Sequence, residues 1–406
     1  MIPKIKSVPF TSVKLKDAFW LPRIAKHKIA LNDCLDICEQ TGRINNFRVA
    51  GKLIEGKHVG IFFNDSDVYK IIEGIAYYIQ INPDAELERR ADEIIRAICS
   101  SQMPDGYVNT YFTLVKPEER WTDMEMHETY CAGHMVEGAL AYLQATGKSA
   151  FYDAALRFVD HIYETFFIPN RPWVTGHQEI ELALFKLYRH TGNEKHRLLA
   201  QFFLDWRGRS LGVGGIRAAG CESPAYCQDD VPAENLRNVG GHAVRAMYMY
   251  TAMTDAMASS ADGGKYAEAL DSLWDSVVNK NMYITGGIGS TASNEGFSGD
   301  FDLPNDSAYC ETCASFGLAM WSRQMFLCKG KSVYADIMEK TMYNSLLAGV
   351  SLSGNKYFYV NPLSSPGSHH RQPWHDCACC PSQVARFMPS VGGYIYAHDK
   401  SDVYIN

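Results

Sequence analysis

Two short stretches hold most of the side chains able to bind a metal or attack carbon: Tyr309-Cys310-Glu311-Thr312-Cys313 and Cys377-Ala378-Cys379-Cys380-Pro381. A carboxylate and a thiol two residues apart, facing two adjacent thiols from elsewhere, supply the four donors that a tetrahedral zinc takes. Glu311, Cys313, Cys379 and Cys380 make that set. The spacing is not the Cys-x-x-Cys pair of a zinc ribbon, and two other readings stay open. One is a purely structural zinc that staples the late segment to the rest; the other is a disulfide of Cys377 with Cys379 or Cys380. Histidines form a second group. His134, His177 and His242 each follow a glycine and stand near the start of an apolar helical pattern. If those helix starts share one end of the molecule, the three imidazoles converge on a polar pocket. A single histidine of this kind is a core residue by default, whereas three in equivalent positions point to a ligand. Glu295, in Asn294-Glu295-Gly296-Phe297, is the third feature. A carboxyl on a glycine-rich loop beside an apolar ring is a candidate proton donor; a solvated loop glutamate is the alternative.

These groups need a scaffold, and the hydropathy pattern supplies one. Pairs of amphipathic helices joined by short turns recur along the chain: 68–81 with 85–100, 130–143 with 151–166, 180–187 with 198–206, 242–253 with 266–278, and 312–327 with 334–347. Thr146-Gly147-Lys148, Thr191-Gly192-Asn193 and Lys329-Gly330-Lys331 read as helix stops. Five or six such hairpins of unequal length, separated by long polar loops, favour a mainly α fold closed as an (α/α)6 toroid over an open solenoid with a fixed repeat. After Val350 the period changes to two, at Tyr357 and Tyr359, then Tyr394 and Tyr396, a turn at His398 to Ser401, and Val403 to Ile405. The expected organisation is therefore an (α/α)6 barrel over 1–350, and over 351–406 a late loop carrying the cysteine cluster and the start of a β region. The chain breaks off in the last strand-like run, where a hairpin partner or a following β-domain is expected, so its end reads as a cut. Gly287-x-Gly289-x-x-Ala292 fits a dinucleotide fingerprint loosely, but it opens no βαβ unit and is rejected.

Composition narrows the partners. The 406 residues carry 39 Lys plus Arg against 46 Asp plus Glu, a formal charge of −7, so nothing offers nucleic acid a basic surface. No apolar run approaches the ~20 residues that cross a bilayer, and Met1-Ile-Pro-Lys-Ile-Lys lacks the core of a secretory signal. A soluble, cytoplasmic chain with reduced thiols is expected, and Cys34, Cys38, Cys99, Cys131, Cys221 and Cys328 read as inert buried thiols.

Over almost its whole length the sequence resembles the zinc-dependent β-L-arabinofuranosidases of glycoside hydrolase family 127. The resemblance runs from Asp17-Ala18-Phe19-Trp20 and Gly42-Arg43-Ile44-Asn45-Asn46-Phe47, through Asp65-Ser66-Asp67-Val68-Tyr69-Lys70 and Gly176-His177-Gln178-Glu179, to Thr285-Gly286-Gly287-Ile288-Gly289. It is most specific at Cys310-Glu311-Thr312-Cys313 and Cys377-Ala378-Cys379-Cys380-Pro381. It implies an (α/α)6 barrel followed by β-sandwich domains, with Zn2+ held by Glu311, Cys313, Cys379 and Cys380. It further implies Cys379 as nucleophile, Glu295 as general acid/base, and His134, His177, His242, Tyr359 and Gln40 as the grip on the sugar. The function so implied is a retaining hydrolase that releases β-linked L-arabinofuranose or a related plant-glycan sugar; the expected partners are then a small oligosaccharide or glycoside substrate and, at most, a second copy of the chain as a homodimer. Two alternatives compete: a sugar epimerase or isomerase of (α/α)6 type, which has no need of the cysteines, and a non-catalytic, zinc-stabilised carbohydrate-binding protein.

Overall fold

Each glycine in the three expected stops takes a left-handed conformation directly after its helix (Gly147, Gly192 and Gly330, φ 73°, 65° and 66°), a backbone state that side chains disfavour and that ends a helix cleanly. The computed structural model describes residues 5–209, 223–260 and 262–406. In chain order its α-helices are α1 (Trp20–Gln40), α2 (Arg43–Ala50), α3 (Asp65–Ile81), α4 (Ala85–Ser101), the short α5 (Thr110–Leu114), α6 (Glu128–Thr146), α7 (Ala150–Ile162), α8 (Glu179–Thr191), α9 (Glu194–Trp206), α10 (Ala243–Ser259), α11 (Ala267–Asp275), α12 (Thr312–Lys329), α13 (Ser332–Thr341) and α14 (Cys379–Phe387). Outer helices α7, α11 and α13 each run on into one π-helical turn, so these hairpins extend about as far as their hydropathy suggests.

The packing order closes a ring. Helix α3 lies on α6, α6 on α8, α8 on α10, α10 on α12, α12 on α14, and α14 returns to α3. Helices α4, α7, α9, α11 and α13 each back the inner helix that precedes them, and α1 covers α3 and α14 from outside. The inner helices α3, α6 and α10 are buried almost all round, while α4 and α7 bury one stripe, as a double-walled toroid requires. The mainly α, (α/α)6 expectation holds. Five of its hairpins are contiguous in sequence; the sixth pair joins α1 from the start of the chain to α14 from near its end. The cysteine run expected in a late loop therefore opens an inner helix instead.

A small antiparallel sheet, in the order β1 (Lys6–Ser7), β2 (Tyr396–His398), β3 (Val403–Ile405), ties the two ends of the described chain together, with Lys6 opposite His398 and Tyr396 opposite Ile405. The expected strands at Tyr396 and Val403 to Ile405 are present. Tyr357 makes only isolated bridges, to Val350 and Gln372. No described helix is long and apolar enough to cross a membrane.

Candidate active site

The two sulfur-bearing stretches meet because they begin neighbouring inner helices. Glu311 is the N-cap residue of α12 and Cys313 lies in its first turn, while Cys379 and Cys380 open α14. Cys313 Sγ stands 3.4 Å from Cys380 Sγ, Cys379 Sγ 3.7 Å from Cys380 Sγ, and Glu311 Oε1 3.4 Å from Cys379 Sγ and 3.9 Å from Cys380 Sγ. All four donor atoms lie within 4.8 Å of one another. Tetrahedral coordination with metal–sulfur bonds of about 2.3 Å and metal–oxygen bonds of about 2.0 Å sets S···S near ~3.8 Å and S···O near ~3.5 Å. The four residues thus present the geometry of a metal site before any ion is considered. The electrostatics agree. Burial, then Cys379 and Glu295, pushes the Glu311 carboxyl well above its ordinary value, and Glu311 Oε2 is buried without a hydrogen-bond partner. Burial also raises the Cys313 thiol, but the sulfurs of Cys379 and Cys380 and the Lys70 ammonium outweigh it and leave the thiol below its usual value. A bound cation would offset the charge of such a packed set of acids. No described cysteine is in a disulfide.

Glu311 also belongs to a second group, with His242 and Glu295. The Glu295 loop is pinned to the start of α10: Ala243 N donates to Glu295 O at 3.2 Å and Phe297 N to Gly241 O at 3.0 Å. Gly296 lies so close to Gly241 O that any Cβ there would collide with it at 1.9 Å. Glu295 itself is held at φ 51°, and its Oε2 accepts a hydrogen bond from Tyr309 Oη at 2.9 Å and lies 3.7 Å from His242 Nε2. The carboxyl faces the cluster from the neighbouring helix start.

The histidines continue the wall. His242 caps α10, and His177, just ahead of α8, has its ring 6.0 Å from it. Burial and the Arg245 guanidinium hold both imidazoles well below their usual pKa, so they are neutral at neutral pH and can both donate and accept hydrogen bonds. Arg245 is itself fixed by two bonds to Glu125, at 3.0 and 2.9 Å. His134 is placed differently: it is 0% exposed, beneath the ring of Tyr130, with Nδ1 3.1 Å from Glu179 Oε1. The histidine on the wall at that point is His127, the N-cap residue of α6, stacked on Phe63 and 6.2 Å from His177. Sequence reasoning passed over it by matching Gly-His pairs. A histidine at or just before a helix N-cap is the signal that unites His127, His177 and His242.

Tyr359 reaches the cluster, with Oη 3.7 Å from Cys377 Sγ and its backbone oxygen accepting from Thr312 N at 2.9 Å. Gln40 does not: its exposed side chain, at the end of α1, shares a surface hollow with Asp33, Ile37, Lys356 and Pro373. Of the thiols expected to be inert, Cys34, Cys38 and Cys131 are buried, Cys99 and Cys328 are half-buried, and Cys221 lies outside the described residues.

Comparison with known proteins bears on this site. The family model described as β-L-arabinofuranosidase, GH127 catalytic domain, matches residues 12–393. A non-reducing end β-L-arabinofuranosidase of Bifidobacterium longum subsp. longum is 36% identical over 385 residues, 87% of this chain and 58% of the relative. A solved GH127 β-arabinofuranosidase superposes with a TM-score of 0.93 at 42% identity, covering 100% of this chain and 64% of the other. A GH127 β-L-arabinofuranosidase from Geobacillus stearothermophilus T6 gives 0.91 at 41% identity, covering 97% and 67%. The chain thus spans less than two thirds of the length of the first two of these relatives.

Proposed function

The chain belongs to the GH127 β-L-arabinofuranosidase catalytic domains, and from that premise we propose that it is a retaining glycosidase that removes β-linked L-arabinofuranose from glycans. The donor set suits zinc, held by Glu311, Cys313, Cys379 and Cys380. Bound there, the ion would keep the cysteines as thiolates at neutral pH. The observation that carries the choice of nucleophile is exposure: Cys313 and Cys380 are 3% and 0% exposed, whereas Cys379 is partly open.

Cys379 Sγ attacks the anomeric carbon as the bond to the departing oxygen breaks, and Glu295 gives that oxygen its proton. Glu295 then takes a proton from water, whose oxygen displaces the sulfur from the same carbon. Two inversions give net retention. The Tyr309 hydroxyl aims the Glu295 carboxyl through both steps. The neutral imidazoles of His127, His177 and His242, with Tyr359, suit a ring carrying several hydroxyls. A cytoplasmic location suits a cluster that works only with reduced thiols.

The test is turnover of a chromogenic β-L-arabinofuranoside by protein of known zinc content, with a denaturing quench and mass analysis of the peptide that carries Cys379. A single pentosyl increment on that peptide, and a first-formed product of unchanged anomeric configuration, are expected. An inverted product would dismiss the thiol as nucleophile.

A further inference from the structure

His127, His177 and His242 stand at the starts of α6, α8 and α10, and one buried ion pair ties all three segments together. Arg245, 4% exposed in the first turn of α10, reaches Glu125, 120 residues earlier, with Nη1 donating to Oε1 at 3.0 Å and Nη2 to Oε2 at 2.9 Å. The same Nη1 donates to Gly176 O at 2.6 Å, on the residue before His177. Glu125, itself 5% exposed, offers its backbone oxygen to His127 Nδ1. The fit leaves no slack, because a Cβ on Gly176 would meet Met124 O at 2.4 Å. A two-pronged guanidinium-to-carboxylate contact fixes direction as well as distance. Three segments are thereby held in one register.

The same contacts decide which nitrogen of each imidazole carries the proton. A carbonyl can only accept, so His127 Nδ1 is the protonated atom of its ring. Burial, then the Arg245 guanidinium, holds that imidazole's pKa down to about 4, which leaves Nε2 an acceptor at neutral pH. His242 is the reverse. Its Nδ1 accepts from Val244 N at 3.1 Å and from Arg245 N at 3.5 Å, so the proton is on Nε2, which lies 3.7 Å from Glu295 Oε2. Its backbone N donates to Tyr226 O at 3.0 Å, and Arg245 Cζ packs 4.5 Å from the centre of the Tyr226 ring. His177 completes the row, its ring 6.2 Å from that of His127 and 6.0 Å from that of His242. The wall therefore presents an acceptor at one histidine and a donor at another.

We propose that the ion pair of Glu125 with Arg245 is the positioning element of this wall. It sets the spacing of the three imidazoles, and it seats the Glu125 carbonyl and the first amides of α10, which hold His127 and His242 in opposite tautomers. A sugar hydroxyl that donates is then taken at His127 Nε2, and an oxygen that accepts is taken at His242 Nε2. The inference rests on the reading that these imidazoles face the sugar, and it states what the wall selects: a ring whose oxygens lie in that donor and acceptor order. Glu125 and Arg245 act through the histidines, as positioning residues.

Long-range proton–nitrogen NMR spectra of histidine-labelled protein read the tautomers directly, without substrate. In wild type His127 is expected as the Nδ1-protonated form and His242 as the Nε2-protonated form, each signal assigned by its loss in His127→Gln or His242→Gln; the same tautomer for both overturns the inference. Glu125→Gln keeps the shape and breaks the ion pair. Its folded form, assayed well below its melting temperature, should show His127 as a mixture of tautomers. Its kcat/KM for a chromogenic β-L-arabinofuranoside should fall about tenfold to a hundredfold, most of it through KM. Arg245→Lys, which keeps the charge and loses the fork, should move both readouts the same way, and it carries the test if Glu125→Gln does not fold. An unchanged His127 signal or an unchanged KM in the variant that folds overturns the role of the pair. A wild type that shows the two tautomers yet hydrolyses no β-L-arabinofuranoside refutes the glycosidase reading, and the variant spectra alone then decide the inference.

Discussion

The two ends of the helical ring both bury charge, and they treat it in opposite ways. At the end where the inner helices finish, Lys186 Nζ donates to Glu137 Oε1 at 2.9 Å and to Tyr77 Oη at 3.0 Å, and Arg386 reaches Glu73 Oε2 at 3.1 Å, Tyr248 Oη at 3.1 Å and Gln383 Oε1 at 2.8 Å. Burial works to raise the Glu137 carboxyl, but Lys186 and Arg386 overcome it and hold it well below the usual carboxylate range. At the mouth, where the inner helices begin, His177 Nδ1, Gln178 Oε1 and Glu311 Oε2 are buried without hydrogen-bond partners among the described residues. A buried polar atom left unpaired costs free energy, and native chains keep such atoms where a ligand or ion completes them. A hollow by itself is a poor guide here. A cavity of about 310 Å3 lies at the satisfied end, lined by Glu73, Lys186 and Arg386, which already answer one another. The proposed chemistry lies at the unsatisfied end, and the paired charges at the other serve the fold.

That division makes opposite predictions for the two ends. Cys379→Ser at the mouth should lower turnover roughly 10⁴-fold or more while leaving the circular dichroism spectrum and melting temperature in place; retained activity removes the thiol from the chemistry. Glu295→Gln should cost about 10²- to 10⁴-fold on alkyl arabinofuranosides and much less on aryl glycosides with good leaving groups, and equal losses on both would argue against an acid role. At the other end, Arg386→Met leaves the Glu73 and Glu137 carboxylates to share Lys186 alone and should cost about 3–5 kcal/mol in urea unfolding. The folded fraction should keep its KM, and a changed KM at normal stability would erase the contrast between the ends.

The smallest effect concerns Glu128, at the mouth end of α6 but fully bonded. Burial, opposed by the Tyr107 hydroxyl and by Trp121 N at 2.8 Å, pushes its carboxyl up to about 8. A carboxyl that holds its proton more tightly when folded stabilises at low pH, and that contribution is lost as the pH rises from about 4 toward 8. Glu128→Gln should therefore flatten the fall in melting temperature between pH 5 and 8, and an unchanged slope would show that another group sets it.

Much of the scaffold could be read along the chain. The stops at Gly147, Gly192 and Gly330 and the five contiguous hairpins are local matters of capping and of 3.6-residue periodicity, which neighbouring residues dictate. The sixth pair could not be read that way, because α1 and α14 come from opposite ends of the sequence and neither forms a hairpin with a neighbour. The run Cys379-Cys380-Pro381 carries no helical period of its own before Phe387, which is why it reads as a loop. The histidines show the same limit at smaller scale. His134 and His127 are seven residues, about two turns, apart along one helix, so they share a face at different depths, and the Tyr130 ring covers the deeper one.

By itself, then, the sequence determined the helical hairpins, the types of donor available and their membership of two short motifs, since each depends on interactions reaching a few residues along the chain. The tertiary structure alone decided that Glu311 and Cys313 stand within bonding reach of one ion with Cys379 and Cys380, which of the three sulfurs is open, and that Arg245 pairs with Glu125, 120 residues away. Those outcomes depend on how six inner helices close into a ring. Ring closure is set by packing between segments more than three hundred residues apart, from Asp65 at the start of α3 to Cys379 at the start of α14, and no local pattern encodes it.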